Sequence, residues 1–239
     1  MLYLRSRKII FTLINLFLYC NLFAQRELNR PGHDEMPYYF GLQFGYANMN
    51  LLPNKDIRFI NYDSVLSAEP EASGGFSVGF LATKKLNANW QARFAPQLII
   101  GGARSFTYEL KYPNAAESRF VKKNLTSTFI SLPLQFKFQS ERIDNFRVYM
   151  LGGASYDIDI LSTSNSRNAE DLIKLKSGDF NIQAGVGCSL FLKFVTLSPE
   201  LKLNTGLTNV HARDPNLKFS NVFDKLYSRS LMFTINIEQ

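Results

Sequence analysis

The sequence predicts an all-β protein, an eight-stranded antiparallel up-and-down transmembrane β-barrel with short periplasmic turns and long extracellular loops. Three observations support this: apolar and polar residues alternate over eight segments, short and long connections alternate between them, and apolar residues are abundant but dispersed. Hydrophobic residues make up 46% of the 239 residues, yet the mean hydropathy is −0.11. A bundle of membrane helices is excluded because it would need several apolar runs of roughly 20 residues.

The alternation has a period of two, which is the period of a strand with two different faces. In the first segment, Phe40, Leu42 and Phe44 lie on one face, and Gly41 and Gln43 lie on the other. The eight segments with this pattern are 40–47, 76–83, 90–101, 128–138, 146–159, 180–192, 195–204 and 230–237.

The composition of the two faces distinguishes a membrane barrel from a soluble sandwich. One face carries Phe, Leu, Ile and Val, and the other is rich in Gly, Ala and Ser with a few charges. Small residues and a limited polar network fit the narrow interior of an eight-stranded barrel, while the apolar face contacts lipid. A soluble sandwich that hides the apolar stripes remains the alternative. We expect the apolar face of the third segment to continue beyond the bilayer through Phe106, Tyr108 and Leu110.

The connections between the segments alternate in length. The short ones are 87–89, about 140–145, and 193–194. The long ones are about 50–73, 113–124, 161–178 and 207–225. This alternation is typical of outer-membrane barrels, so we expect the chain to lie in the cell outer membrane of a Gram-negative bacterium.

The first 24 residues have the features of a signal peptide. Arg5, Arg7 and Lys8 form the positive region, residues 9–22 form the apolar region, and cleavage is expected after Ala24. We therefore divide the chain into a signal peptide (1–24), a periplasmic N-terminal tail (25–37) and a barrel (38–239).

Two other interpretations of the N-terminus remain open. A lipoprotein signal ending at Cys20 would place Tyr19 where such signals prefer a small residue. A retained membrane anchor would have to include Asn15 and Asn21 within a short apolar stretch.

Charge, cysteine and histidine content argue against several function classes. The net charge of +7 falls to +4 without residues 1–24, and the remaining basic residues are scattered, so we expect no nucleic-acid partner. Cys188 would then be the lone cysteine, which excludes an intrachain disulfide. His33 and His211 are too few and too distant to predict a metal site. We expect no cofactor and identify no small-molecule substrate.

Charged and amide side chains on the inner face predict a polar network in the lumen. Buried charges are costly unless they are paired, so the structural interpretation is a set of ion pairs and hydrogen bonds that closes the lumen. A proton or ion pathway is the alternative, although eight strands leave little aqueous bore. The predicted members of the network are Arg93, Gln97, Lys137, Arg147, Asp157, Asp159, Glu200 and Lys202.

The long loops contain apolar residues that must be buried either in a compact cap or against a protein partner. The candidate partner-binding residues in these loops are Tyr62, Asp63, Glu170, Asp171, His211, Arg213 and Asp214. His211 and Asp214, with Ser220 nearby, also raise the possibility of hydrolysis or acyl transfer. No oxyanion site or positioned nucleophile is evident in the sequence, so we expect no enzyme and assign no catalytic residue.

Several segments carry a more specific resemblance. They are PYYFGL at 37–42, YDSVL at 62–66, PQLIIGGARSFTY at 96–108, RNAEDLIKLK at 167–176 and HARDPNLK at 211–218. In these segments the chain resembles the PorT (SprT) family of outer-membrane proteins of the Bacteroidetes type IX secretion system, which also supports gliding motility. The likeness extends over nearly the whole chain after residue 24.

The resemblance implies a non-enzymatic component of a protein-export apparatus. That apparatus moves proteins with C-terminal signal domains across the outer membrane, so the implied partners are outer-membrane lipid and other type IX secretion proteins. The resemblance implies no catalytic residue. The alternative is a stand-alone small barrel that acts as an adhesin, a binding protein or a narrow porin.

Overall fold

A computed structural model describes residues 27–55, 65–101, 104–111, 118–125, 127–161, 175–212 and 223–239. Within these ranges the chain forms twelve strands and one short 3-10 helix, Pro31–Asp34. The described residues include no helix with the length and hydropathy to span a bilayer. The strands are β1 Tyr38–Lys55, β2 Val65–Glu71, β3 Ser73–Lys85, β4 Trp90–Phe94, β5 Gln97–Ile100, β6 Arg104–Leu110, β7 Phe120–Leu125, β8 Thr128–Gln139, β9 Phe146–Asp159, β10 Gly178–Phe191, β11 Thr196–Gly206 and β12 Phe223–Glu238.

Nine of these strands close into an antiparallel ring of eight positions. The order is β1-β12-β11-β10-β9-β8, then β4 with β5, then β3, which pairs again with β1. Leu42 of β1 lies opposite Ile237 of β12 on one side and Phe80 of β3 on the other. All three side chains lie on the apolar face that the sequence predicted. The eight-stranded barrel is confirmed, and a sandwich of two sheets is not what the chain forms.

The position between β3 and β8, which corresponds to the third predicted segment, is shared by two short strands. β4 and β5 both pair with β3 and β8, and Ala95 and Pro96 interrupt them. The interruption spans two residues, so the alternation keeps its phase: Arg93 and Gln97 are both buried inside. Proline has no N–H to give to a ladder, but the Pro96 carbonyl still accepts from the Phe80 amide at 3.0 Å.

The short connections are tight turns. The Leu192 amide donates to the Val195 carbonyl at 2.9 Å, which closes the two-residue turn between β10 and β11. In the turn between β3 and β4, the Asn87 side-chain oxygen accepts from the Trp90 amide at 2.8 Å. These turns lie at the end of the barrel where β1 begins and β12 ends, which we call the short-turn end. In barrels of this class that end is periplasmic.

Glycines on the inner face let the narrow barrel close. A Cβ added to Gly185 would lie 2.8 Å from the Leu201 carbonyl oxygen, and one added to Gly153 would lie 2.7 Å from the Gln135 Cα. Real Cβ atoms do not approach so closely, so any larger residue would push neighbouring strands apart. The small residues of the polar face are therefore required by the bore of an eight-stranded ring.

Beyond the long-loop end, three strands form a second sheet in the order β2-β6-β7. We call it the outer sheet. The chain leaves the ring at Gly101, whose φ of 89° lies in the left-handed region that glycine adopts without strain. This turn corrects the expectation for Phe106 and Tyr108. Both side chains are fully buried in the outer sheet and do not continue the lipid-facing stripe.

Beneath the outer sheet lies a cluster of buried apolar side chains, which we call the apolar cap. Its members come from β1 and β12 at the long-loop end, from the outer sheet, and from the connections that precede β10 and follow β11. They are Leu51, Ala68, Phe106, Tyr108, Leu175, Val210, Phe223 and Leu226. The cap therefore holds the outer sheet against the rim of the barrel.

Candidate functional site

The half of the lumen nearer the short turns contains a group of buried charges. Arg93 of β4 is paired through Nη1 with Glu200 of β11 and through Nη2 with Glu238 of β12, the latter at 3.0 Å. All three side chains are at most 1% exposed. The Tyr149 hydroxyl donates to Glu200 at 2.6 Å, and Lys202 Nζ lies 3.7 Å from the other Glu200 oxygen. A carboxylate that receives three donors offsets much of the cost of burying charge.

Lys137 completes this group, and no carboxylate of the described residues forms an ion pair with it. Its Nζ lies 3.9 Å from the centre of the Tyr149 ring, a distance at which the ring face attracts a cation. Tyr149 therefore contacts Lys137 through its ring and Glu200 through its hydroxyl. The group therefore contains three cations, Arg93, Lys137 and Lys202, and two anions, Glu200 and Glu238.

Amide side chains cross the lumen in pairs. Gln43 donates to Gln97 at 2.9 Å, and Gln135 donates to Gln183 at 2.7 Å. All four residues are at least 96% buried. Each hydrogen bond joins two strands that flank a third, β3 or β9, so the side chains pass over the inner face of that strand and occupy part of the lumen.

The two predicted inner aspartates lie apart from this group of charges. Asp157 accepts from Ser131 Oγ at 2.5 Å and from Asn181 Nδ2 at 2.9 Å, and Asp159 accepts from the Leu161 amide at 3.0 Å. These contacts lie at the long-loop end of β9. The predicted lumen residues are therefore distributed along the barrel, with Arg147 at the opposite end.

At the short-turn end, residues 27–37 fold across the mouth of the barrel, and we call them the N-terminal strap. Asn29 Nδ2 donates to the Phe191 carbonyl at 3.0 Å. Arg30 Nη1 donates to Thr196 Oγ1 at 2.9 Å and to the Glu238 carbonyl at 3.0 Å. The strap thus contacts β10, β11 and β12.

His33 of the strap is buried between aromatic rings. Its ring centre lies 4.8 Å from that of Tyr39 and 5.6 Å from that of Phe191. Burial, with a further contribution from the positive charge of Arg30, lowers the pKa of His33 to about 4. The imidazole is therefore neutral at periplasmic pH and acts as an aromatic wedge.

Asp34 of the strap pairs with two arginines. Its carboxylate lies 2.9 Å from Arg147 Nη1 and 3.6 Å from Arg142 Nη1, and its backbone carbonyl accepts from Lys85 Nζ. The Arg142 guanidinium also stacks 3.8 Å from the centre of the Phe191 ring. Burial lowers the pKa of Arg142, and the stacking and hydrogen bonds keep the guanidinium in place.

Sequence reasoning missed Glu238 and Asp34. Glu238 continues the inward positions Thr234 and Asn236, so extending the alternation by two residues would have found it. Asp34 lies in a segment without periodicity, and no local pattern indicated that it would contact Arg147.

Among the candidate loop residues, only His211 lies in the described part of the chain. It is 2% exposed, its ring centre lies 6.5 Å from that of Phe223, and its amide donates to Asn209 Oδ1 at 3.0 Å. His211 therefore packs beside the apolar cap. Tyr62, Asp63, Glu170, Asp171, Arg213, Asp214 and Ser220 lie outside the described residues. Within the described residues, no three acidic, histidine or cysteine side chains are grouped as a metal site would require.

Several solved outer-membrane structures are similar to this chain. Neisserial surface protein A shares 12% identity with a TM-score of 0.41, over 84% of this chain and 97% of that one. OprG of Pseudomonas aeruginosa shares 10% with a TM-score of 0.44, over 84% and 93%. Ail of Yersinia pestis, solved with the heparin analogue sucrose octasulfate, shares 11% with a TM-score of 0.38, over 85% and 100%.

No curated protein matches the sequence. The profile of the outer membrane protein beta-barrel domain matches residues 23–212, which is most of the chain. Together with the closed ring and its apolar outer face, this match places the protein in the outer membrane. The chain belongs to the outer membrane protein beta-barrel domain family.

Proposed function

We propose that this barrel is a non-enzymatic component of the type IX secretion machinery and supports export of proteins with C-terminal signal domains, and gliding where the cell glides. The resemblance of five separate segments to the PorT family supports this proposal. In this role the protein acts through contacts with other secretion proteins.

The observation that carries the proposal is the filled lumen. Arg93 joins β4 to β11 and β12 through ion pairs, and the buried glutamine pairs occupy further space inside the ring. A polypeptide could pass only if these buried pairs were broken, and leaving a buried charge unpaired costs about 3–5 kcal/mol. The barrel therefore contributes surfaces to an export machine and leaves the conduit to another subunit.

The outer sheet offers one such surface. Phe120 of β7 is 61% exposed, and Lys122 and Arg119 beside it are exposed as well. Within the described residues β7 pairs with β6 alone, and a strand edge can accept a strand from a partner. The apolar cap holds this surface in one position, which reduces the entropy lost on binding.

Deletion of the gene in the native bacterium tests the proposal. We expect cargo with a C-terminal signal domain to remain inside the cell, and re-expression of the wild-type chain to restore it to the medium. Export that continues normally without the protein would contradict the proposal and favour a stand-alone adhesin, binding protein or porin.

A pair of matched variants then tests the outer surface. Phe120→Ser removes an exposed ring from the outer sheet, whereas Phe194→Ser removes an even more exposed ring from the turn between β10 and β11 at the opposite end. We expect reduced export with the first variant and normal export with the second, at equal amounts of folded protein in the outer membrane. Equal export by both variants would show that β7 does not belong to the contact surface.

A further inference from the structure

A cavity of about 300 Å³ lies at the short-turn end. Its walls are the turn between β3 and β4, the turn between β8 and β9, and the N-terminal strap. The charged groups that line it are Lys85, Arg142 and Arg147 on the positive side, and Asp34 and Glu141 on the negative side. Glu141 is exposed, whereas the two arginine side chains are at most 9% exposed.

One arginine in this cavity has a donor to spare, because Arg142 already uses its five N–H groups within the strap and its own turn. Arg147 contacts Asp34 through Nη1, while its buried Nε has no partner among the described residues. A guanidinium has five N–H donors arranged to hold a carboxylate through two of them. A cation buried to this degree with an unused donor favours an additional oxygen ligand.

Asp34 shows which chemistry this cavity accepts. Its carboxylate lies between Arg142 and Arg147, yet its side chain is 33% exposed. The pairing is therefore open to solvent on one side, and ion pairs with this exposure are weak. A carboxylate from outside could join Asp34 at the arginines or replace it.

We propose that this cavity is a binding site for a carboxylate side chain presented by an acidic segment of a periplasmic protein. Asp34 is the internal carboxylate that occupies part of the site when the partner is absent. The bound segment completes the donors of Arg147 and adds a hydrogen bond to Lys85. This inference concerns the periplasmic end and does not depend on a role in export.

Peptide binding to the purified barrel in detergent micelles tests the inference. The probe is a fluorescein-labelled hexaglutamate peptide, followed by fluorescence anisotropy, with hexaglutamine as its uncharged control. We expect hexaglutamate to bind, acetate to displace it, and hexaglutamine to remain free. Equal binding of both peptides, or stronger displacement by inorganic phosphate than by acetate at equal ionic strength, would overturn the carboxylate assignment.

Variants separate a binding site from a purely structural cluster. Asp34→Asn removes the internal competitor, so we expect hexaglutamate to bind about threefold more tightly, as for loss of one weak competing ion pair. Arg147→Gln removes a charge-assisted donor and should weaken binding about tenfold. If the cluster served stability alone, both changes would weaken or abolish the binding of hexaglutamate. Weaker binding of hexaglutamate by Asp34→Asn would therefore overturn the proposal.

Two further variants keep the test independent of folding defects. Lys85 is the last residue of β3, so Lys85→Gln should fold even if Arg147→Gln does not. We expect it to weaken hexaglutamate binding about threefold. Lys122→Gln removes one positive charge from the outer sheet at the other end and should leave binding unchanged. Heat-dependent mobility on a denaturing gel reports whether each variant is a folded barrel. Unchanged binding by both Lys85→Gln and Arg147→Gln would overturn the proposal.

Discussion

The two ends of the barrel are closed by different chemistry. At the long-loop end, Phe106 and Phe223 pack with ring centres 4.8 Å apart inside a fully buried apolar cap. At the short-turn end, the strap is held by hydrogen bonds and by the pairing of Asp34 with two arginines. Apolar burial depends little on salt, whereas partly exposed ion pairs are screened. We therefore expect the apolar cap to remain closed under most conditions, and the N-terminal strap to be displaced more easily.

The largest effect is expected among the buried charges inside the lumen. Glu200→Gln leaves Arg93 and Lys202 buried beside a neutral amide, so we expect a loss of about 3–5 kcal/mol in the free energy of unfolding. Urea unfolding in detergent micelles measures it. The double variant Lys202→Gln with Glu200→Gln should recover part of the loss, because Lys202 is then no longer a buried charge that has lost its ion-pair partner. Additive losses would contradict a direct coupling.

At the long-loop end, Phe106→Ala opens a cavity in the apolar cap. We expect a loss of about 3–5 kcal/mol that is the same in 0.1 M and 1 M salt. The exposed Phe120→Ala in the same sheet is the control and should change stability by less than about 0.5 kcal/mol. A strong dependence on salt would show that charges hold the outer sheet.

At the short-turn end, acid should release the strap through His33. The pKa of His33 is about 4 in the docked strap and 6.5 in a solvated one, so the released strap binds a proton that the docked strap excludes. Docking is therefore fully stable above pH 6.5 and weakens as the pH falls towards 4. The positive charges of Arg30 and Lys137 act with burial, while Glu238 and Asp34 oppose it.

Limited cleavage after Glu35 by a glutamate-specific endopeptidase between pH 7 and pH 5 follows this release. His33→Phe keeps a ring against Tyr39 and Phe191 without a titrating group, so we expect cleavage of that variant to change much less with pH. Equal pH dependence in both proteins would assign the release to another group.

A smaller effect is expected from the ion pairs of the strap. Asp34→Asn removes both pairs with Arg142 and Arg147, which should weaken docking by about 1 kcal/mol. Cleavage after Glu35 by the same glutamate-specific endopeptidase should then be faster and no longer respond to added salt, whereas the wild type should be cleaved faster in 1 M salt. Unchanged cleavage of Asp34→Asn would show that the hydrogen bonds of Asn29 and Arg30 suffice.

The smallest effect is expected on the exposed surface of the outer sheet. Lys122 and Thr107 donate to Glu71 and thereby lower the pKa of its carboxyl. The group is fully exposed, so we expect Glu71→Gln to leave the urea midpoint unchanged. A measurable shift would mean that charge contributes to the outer closure and would weaken the contrast between the two ends.

The sequence predicted the ring because each residue of a membrane strand faces either lipid or lumen. Phe40, Leu42 and Phe44 are exposed and Gln43 is buried, as the alternation required. The short turns fixed the antiparallel order in the same way. These are local properties, so a local pattern is enough to predict them.

Partners across the lumen could not be predicted, because alternation gives the face of a residue and not its neighbour. Arg93 and Glu238 are 145 residues apart, and they meet only when the ring closes. The outer sheet was missed for a related reason: the left-handed turn at Gly101 moves β6 out of the ring, and the alternation of Phe106 and Tyr108 looks the same in either sheet.

The contacts of Asn29 and Arg30 have a consequence for assembly. The first described residues of the chain bond to Phe191, Thr196 and Glu238, which belong to the last three strands. The strap can reach its place only after the final strand has joined the first. Docking of the strap therefore occurs only in a completed barrel. In a chain whose assembly stops before the ring closes, His33, Arg142 and Arg147 stay exposed, whereas the docked strap buries them.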